Sequence, residues 1–256
     1  MDIEESERYR APALDKGLDI IELLSGAEEG LSQAEIAKAL ERTPNEIYRM
    51  LDRLVRRDYV RRTAGDRYEL TLKLFELAHA TPPVARLVAQ ALPIMRRFAR
   101  EARQACHLVI HDRNVLVVVA QVDSPGYWNV SIRVGSRISM VNTGSGHVFL
   151  AFASPEERRL MLEDVAGDEG LTPEFEARLE QVREKGYESM PSLQVASVTN
   201  LTVPIRGPVG SLLAVLTSPF TDRLDKKDAP DRDAVLAMLV SAGEEISKRP
   251  LSRQKG

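Results

Sequence analysis

Two helix-start signatures stand almost back to back between Ser32 and Glu46, and little but a tight helical corner can accommodate both. Ser32-Gln33-Ala34-Glu35 is one capping box. Thr43-Pro44-Asn45-Glu46 is the other, with Pro44 at the first helical position, where its missing N–H costs nothing. In such a box the hydroxyl accepts from an exposed backbone N–H, while the glutamate three residues on reaches back to the cap. The pattern predicts a helix of about two turns over 33–40, a connection over 41–43 and a longer, arginine-rich helix. Helix, tight turn and second helix form a helix-turn-helix, whose second helix enters the DNA major groove. The implied unit is a DNA-binding domain.

The net charge of −3 argues superficially against a nucleic-acid partner. Its distribution answers the objection. Between Arg42 and Arg67 lie Arg42, Arg49, Arg53, Arg56, Arg57, Arg61, Arg62 and Arg67, opposed by Glu46, Asp52, Asp58 and Asp66, which leaves +4 in that window. A local positive stripe sets the attraction to phosphate, and an acidic remainder limits adhesion to random DNA.

At 256 residues the chain suits two domains of unequal size. No apolar run approaches the roughly 18 residues of a membrane span. The start, MDIEESERYR, has the character of neither a signal nor a transit peptide. One cysteine, Cys106, allows no internal disulfide and suits a reducing compartment, so a cytoplasmic protein is expected.

Leu14, Leu18, Ile21 and Leu24 recur at helical spacing ahead of Gly26, which predicts a first helix over 13–25. In the helix that Pro44 opens, Ile47, Met50, Leu51 and Leu54 mark the inward stripe. Asn45, Tyr48, Arg49, Asp52 and Arg53 then point outward or lie on the flank. Two β-prone runs, 59–62 and 67–70, surround Thr63-Ala64-Gly65-Asp66 and predict a hairpin, the wing of a winged helix-turn-helix. A helix over 71–80 ends at Thr81-Pro82-Pro83, read as the junction between domains, and another runs over 84–103 with a bend expected near Pro93.

Beyond it the pattern turns β-rich. Strands are predicted over 107–111, 115–122, 130–134, 198–206 and 211–217, the last two joined by Gly207-Pro208-Val209-Gly210. Helices are predicted over 145–153, 155–164, 173–185 and 232–249, with 250–256 a frayed tail. Hairpins flanked by helices on an antiparallel sheet make an α+β domain.

With these elements in order, the chain resembles an IclR-type transcriptional regulator. The resemblance is carried by Leu14-Asp15-Lys16-Gly17-Leu18-Asp19-Ile20 in the first helix and by Ile47-Tyr48-Arg49-Met50-Leu51-Asp52-Arg53-Leu54 in the recognition helix. Arg133-Val134-Gly135-Ser136, Asn142-Thr143-Gly144-Ser145-Gly146 and Val203-Pro204-Ile205 carry it through the second half. It implies a fold of class α+β: an N-terminal winged helix-turn-helix over 10–71, a linker helix over 72–90 and a GAF-like effector-binding domain over 91–249. It also implies a homodimer, or a dimer-of-dimers tetramer, on a two-fold operator in double-stranded DNA. A small-molecule effector would act through the helical region 71–102 by binding one arrangement of the winged helices more tightly.

Position by position, the family's ligand-facing sites fall on Met140, Gly144, Ser145, Met190, Val198, Asn200, Thr217 and Pro219. Part of this has a physical basis. Thr143-Gly144-Ser145-Gly146 is a glycine-bearing turn entering a helix, whose forward-facing N–H groups favour a carboxylate. Asn200 and Thr217 offer neutral hydrogen bonds in an otherwise apolar pocket. Where many members carry acidic residues and a cysteine, this chain has Met190-Pro191-Ser192-Leu193 and Asn200, which disfavours a hydroxyl-rich or cationic ligand. The expectation is a small organic acid.

For DNA, Arg49 and Arg53 are assigned to the groove, because a guanidinium fork matches guanine O6 and N7. Arg61, Arg62 and Arg67 on the wing are assigned to phosphates or the minor groove. Asn45 and Tyr48 are base or phosphate candidates, and Gln33 and Thr43, at the two helix starts, complete the set. Glu46, which replaces a small hydroxyl residue common there in the family, serves the capping box or accepts from a cytosine amino group. The competing view, a merely solvated charged face neutralised by Asp52, is weakened by the agreement of two boxes and a wing.

Two alternatives stay open: an architectural DNA-binding protein whose second domain only oligomerises, and a metal-assisted enzyme using His107 and His111, which share a strand face. A histidine pair without a third ligand is more often structural. His147 is expected to pack or meet water, and Cys106 to be a buried small apolar residue. Trp128 reads equally as an interface anchor or a pocket lid. No nucleophile elbow, Ser-His-Asp order or P-loop can be assembled, so no catalysis, cofactor or metal is expected.

Overall fold

The computed structural model describes residues 11–80, 82–163, 172–207, 210–223 and 228–249. Their contacts divide into two units, Met1–Pro82 and Pro83–Gly256.

In the first unit, α1 (Pro12–Ser25), α2 (Gln33–Ala39) and α3 (Pro44–Arg56) are followed by the hairpin β2 (Val60–Thr63) and β3 (Arg67–Leu70). Both boxes form. Ser32 Oγ accepts Glu35 N at 3.3 Å, and Ser32 N donates to Glu35 Oε2 at 2.7 Å. In the second, Glu46 Oε2 accepts both Thr43 N (3.1 Å) and Thr43 Oγ1 (2.9 Å). Ile20, Ile36, Ile47, Leu51 and Val60 close the core where the three helices and the wing meet. A short strand ahead of α2, β1 (Leu31–Ser32), pairs with β3 and makes the wing three-stranded. Two residues carry too little pattern to announce a strand. The helix predicted over 71–80 is α4 (Lys73–Ala80).

The second unit opens with α5 (Pro82–Ala102), which keeps Pro93 inside it. Six strands form one sheet: β4 (Cys106–Asp112), β5 (Val115–Val122), β6 (Arg137–Ile138), β7 (Glu188–Pro191), β8 (Thr199–Arg206) and β9 (Leu212–Phe220), in the order β6-β5-β4-β9-β8-β7 with every pair antiparallel. Side chains alternate between its faces. Leu108, Leu201, Val203, Ile205 and Leu216 pack with α5 and with α9 (Arg232–Ser247). Val109, Leu116, Val118 and Val215 pack with α6 (Gly144–Phe152) and α8 (Pro173–Lys185). A further helix, α7 (Pro155–Leu162), follows α6 and starts from a Ser154–Glu157 capping box.

Several expectations need correction. Residues 130–134 are not a strand: the chain turns at Gly135 (φ 88°), and the pairing with β5 falls on Arg137 and Ile138. Apolar β-prone residues there line a cavity instead of joining a ladder. Strand β7 was not anticipated, because Glu-Ser-Met-Pro has little β propensity, yet an edge strand tolerates Pro191. Strand β9 extends past Thr217 through Pro219. There β4 is no longer paired and only β8 remains a neighbour, so the absent N–H breaks no second ladder. Asp164, the tail 250–256 and part of the 207–210 turn lie outside the described residues.

Candidate nucleic-acid interface and ligand cavity

An α-helix turns about 100° per residue, so the buried Ile47 and Leu51 set one side of α3 and leave Asn45, Arg49 and Arg53 on the opposite one. All three are exposed, as is Tyr48 on the flank. Among the described residues Arg49 and Arg53 form no ion pair. The wing arginines are all paired: Arg61 with Glu69 at 2.8 Å, Arg62 with Asp66 at 2.8 Å, and Arg67 with Glu35 at 3.3 Å and with the carbonyl of Gly30. Arg56 pairs with Asp52 at 3.0 Å.

The remaining DNA candidates hold the corner itself. Gln33 Nε2 donates to the carbonyl of Pro44 at 2.8 Å, tying the start of α2 to the start of α3. Glu46 gives Oε2 to Thr43, and its Oε1 takes Lys16 Nζ of α1 at 2.7 Å. The Lys16 contact and then the Thr43 bonds hold this carboxyl down at about 2. Both of its oxygens are thus engaged in the cap and the bridge to α1, where the structure places this residue.

Thr143 caps α6, accepting Gly146 N at 3.1 Å, and the first intrahelical donor is His147 N. The N–H groups of Gly144 and Ser145 precede it and have no partner within the helix. Gly146 is obligatory: a Cβ there would sit 1.7 Å from the carbonyl oxygen of Met140. Behind this turn His147 is buried, with Nδ1 2.8 Å from Glu188 Oε2 and Nε2 2.9 Å from the carbonyl of Val141. Arg178 clasps Glu188 from the other side, at 2.5 and 3.0 Å. His147 therefore neither simply packs nor meets water. It anchors α6 to β7.

In front of the turn lies a cavity of about 400 Å³, less open than two other clefts of similar volume. Gly144, Ser145, Val198, Asn200, Thr217 and Pro219 line it together. Met140 and Met190 are buried nearby in the protein but do not line it. Ser145 Oγ, Thr217 Oγ1 and Thr202 Oγ1 form a buried chain of hydroxyls spaced 3.0 Å apart. The cavity is also lined by residues not assigned to it from sequence: Val130, Ile132, the exposed Arg137, and His107 of β4, which the sequence offered only as a metal candidate with His111. No local pattern announces His107 there; its partner across the sheet is Thr217. Trp128, 71% exposed, does not line this cavity and borders a separate cleft with Tyr127.

A shared metal on His107 and His111 is not supported. Residues four apart on a strand lie roughly 13 Å apart, far beyond the span of two ligands on one ion. Among the described residues no three His, Cys, Asp or Glu side chains gather as metal ligands. Cys106 is fully buried with its thiol pushed by desolvation up to about 12, so it is inert packing. Among the described residues no helix is long and apolar enough to cross a membrane.

A winged helix-turn-helix with an exposed basic face, followed by a unit enclosing a ligand-sized cavity, is the architecture of a ligand-sensing transcriptional regulator. The comparisons agree. The family described as IclR helix-turn-helix domain matches residues 13–64, and that described as bacterial transcriptional regulator IclR C-terminal matches residues 80–248. The chain belongs to the IclR family of transcriptional regulators. It is 28% identical over 234 residues to the HTH-type transcriptional regulator KdgR of Escherichia coli K12, covering 87% of this chain and 86% of that one. It is 23% identical over 215 residues to the HTH-type transcriptional repressor AllR of the same strain, covering 81% and 79%. Among solved structures, an IclR homolog from Microbacterium hydrocarbonoxydans complexed with 4-hydroxybenzoate has a TM-score of 0.74 at 23% identity, covering 92% of this chain and 97% of that one. The Thermotoga maritima IclR has a TM-score of 0.72 at 21% identity, covering 93% and 98%.

Proposed function

We propose that this regulator is a DNA-bound switch whose hold on its operator is set by a small organic acid in the cavity in front of α6. The observation that carries the reading is that Gly144 and Ser145, whose N–H groups have no partner within α6, line this otherwise largely apolar enclosure. Such a helix start attracts an anion, and the neutral groups of Asn200 and Thr217 fix its orientation without adding charge. The exposed Arg137 at the cavity adds a cation. A fold relative that carries 4-hydroxybenzoate is in keeping with a ligand of this kind.

In this reading residues 10–71 bind DNA, with Asn45, Tyr48, Arg49 and Arg53 in the major groove and Arg61, Arg62 and Arg67 against the backbone. Residues 72–90 connect, and 91–249 sense. One winged helix makes too few contacts for a long operator, so the protein acts as a homodimer or larger assembly on a two-fold site. The exposed Leu14, Leu18, Phe75 and Leu77 of the first unit offer apolar surface for self-association. The protein works in the cytoplasm and performs no catalysis.

The test is to map the genomic fragments that the protein binds, then to follow binding to one of them by fluorescence anisotropy while acids are added. An acid must favour one arrangement of the protein over another to change DNA affinity. Ser145→Trp, which fills the cavity, is expected to keep DNA binding and lose the response. A normal response in that variant moves the effector elsewhere. A protein that no acid stabilises against heat is better described as architectural, since a ligand of the native state must raise stability.

A further inference from the structure

Arg49 is flanked on its own helix by two carboxylates that compete for its guanidinium. Glu46 lies three residues before it and Asp52 three after. Residues at that spacing are surface neighbours on a helix, with Cβ atoms about 5–6 Å apart. A long helical side chain also leans back over the preceding turn, which for Arg49 is the turn that carries Glu46. Elsewhere in this unit carboxylates do capture arginines: Arg61, Arg62 and Arg67 each hold one. Arg49 nevertheless forms no ion pair among the described residues.

Each competitor is held by another cation. Asp52 is taken by Arg56 at 3.0 Å, four residues on, with the acid ahead of the base as a helix favours. By the same preference Glu46 belongs with Arg49. It is diverted instead by a different helix. Lys16 Nζ of α1 reaches its Oε1 at 2.7 Å, while Oε2 stays on Thr43. The Lys16 side chain is 22% exposed, against 69% for Arg56, so this bridge is the better shielded of the two.

We propose that Lys16 is a positioning residue for base recognition: it occupies the Glu46 oxygen that the cap leaves over, and so keeps the Arg49 guanidinium available to the groove. The proposal rests on the reading of Arg49 as a base reader and adds a residue of the first helix to the determinants of sequence preference. Without Lys16, Oε1 of Glu46 turns to Arg49. Reading a base then requires breaking that pair and leaves an unneutralised anion beside the DNA.

The experiment uses the full-length protein, the best-bound duplex selected from a random pool, and single-base-pair variants of that duplex, compared by anisotropy at fixed salt. Lys16→Met keeps the aliphatic stem and is expected to weaken the selected duplex roughly threefold. It also flattens preference at the base pair where Arg49→Ala flattens it. Lys16→Arg, which keeps the cation, retains the parent preference. The deciding comparison is made in a Glu46→Gln background, where glutamine still closes the capping box. There Lys16→Met leaves the base preference as that background has it. A loss of preference that persists in the Glu46→Gln background means that Lys16 touches DNA itself or only supports the fold, and overturns the proposal. A Lys16→Met chain that merely unfolds is weak in both backgrounds and counts against it in the same way. If Arg49→Ala flattens a preference and Lys16→Met flattens none, this proposal alone falls. If the parent selects no sequence, or Arg49→Ala leaves every preference intact, the reading of Arg49 falls and takes the proposal with it.

Discussion

His147 Nδ1 stands 2.8 Å from Oε2 of Glu188, and both side chains are buried although they come from different layers, the helix α6 and the edge strand β7. Burial alone would raise the Glu188 pKa. Hydrogen bonds from His147 and Arg178, and their charges, more than offset it and hold the carboxyl below its usual value. Removing the acceptor leaves the partners facing each other without compensation. Glu188→Ala is therefore expected to cost about 3 kcal/mol in urea unfolding. Because the folded pKa is depressed, this stabilisation is present above the unfolded value and is lost as pH falls through the folded one. An unchanged urea midpoint at neutral pH would show that the cluster does not hold α6 to the sheet.

Gly146 has no room for a side chain. With the Met140 carbonyl 1.7 Å from its prospective Cβ, Gly146→Ala must displace either the 140–143 turn or the first turn of α6. The expected loss is about 3 kcal/mol. Thermal unfolding of the variant checks it, and a melting temperature within a degree or so of the parent would contradict the close approach.

On DNA the two sets of arginines should separate. Arg49→Ala is expected to cost about 1–3 kcal/mol on the operator and to relax base preference. Arg61→Ala should weaken all sequences alike and reduce the salt slope by about one. Anisotropy titrations at several salt concentrations distinguish the two. Identical behaviour of both variants would remove the distinction between a reading helix and a backbone-gripping wing.

His107 gives the protein an acid-side liability. Its folded pKa of about 4 lies below the unfolded value near 6.5, so between these limits the unfolded chain binds the extra proton. Stability contributed by the neutral ring is complete above pH 6.5 and declines as pH falls toward 4. The His107→Leu variant should lack that part of the decline, a difference of a few kcal/mol by pH 4. Parallel stability profiles for the two proteins would mean that the ring is not held neutral by burial.

What could be read from residues alone follows the range of the interactions. The helical corner was legible because its capping boxes act over three residues, and the exposed side of α3 followed from its apolar spacing. The interior of the second unit was legible as alternating strands. Strand β7 and the true limits of β9 were hidden because pairing with β8 decides them, against the local preference of Pro191 and Pro219. His107 illustrates the same limit. It lies on one strand with His111 in a pattern that suggests metal, and only the fold sets it beside Thr217 and Ser145 in a cavity. Glu46 ran the other way: its cap was plain from spacing, but its bridge to Lys16 was not.

The paired wing has a consequence for how the protein searches a chromosome. Each of Arg61, Arg62 and Arg67 already holds a carboxylate, so each must exchange one anion for another when it meets a phosphate. The domain thus carries its own decoys for the nucleic-acid backbone. In the proposed mode of binding that exchange trims the gain from each backbone contact, whereas Arg49 and Arg53, which form no ion pair among the described residues, would meet bases without one.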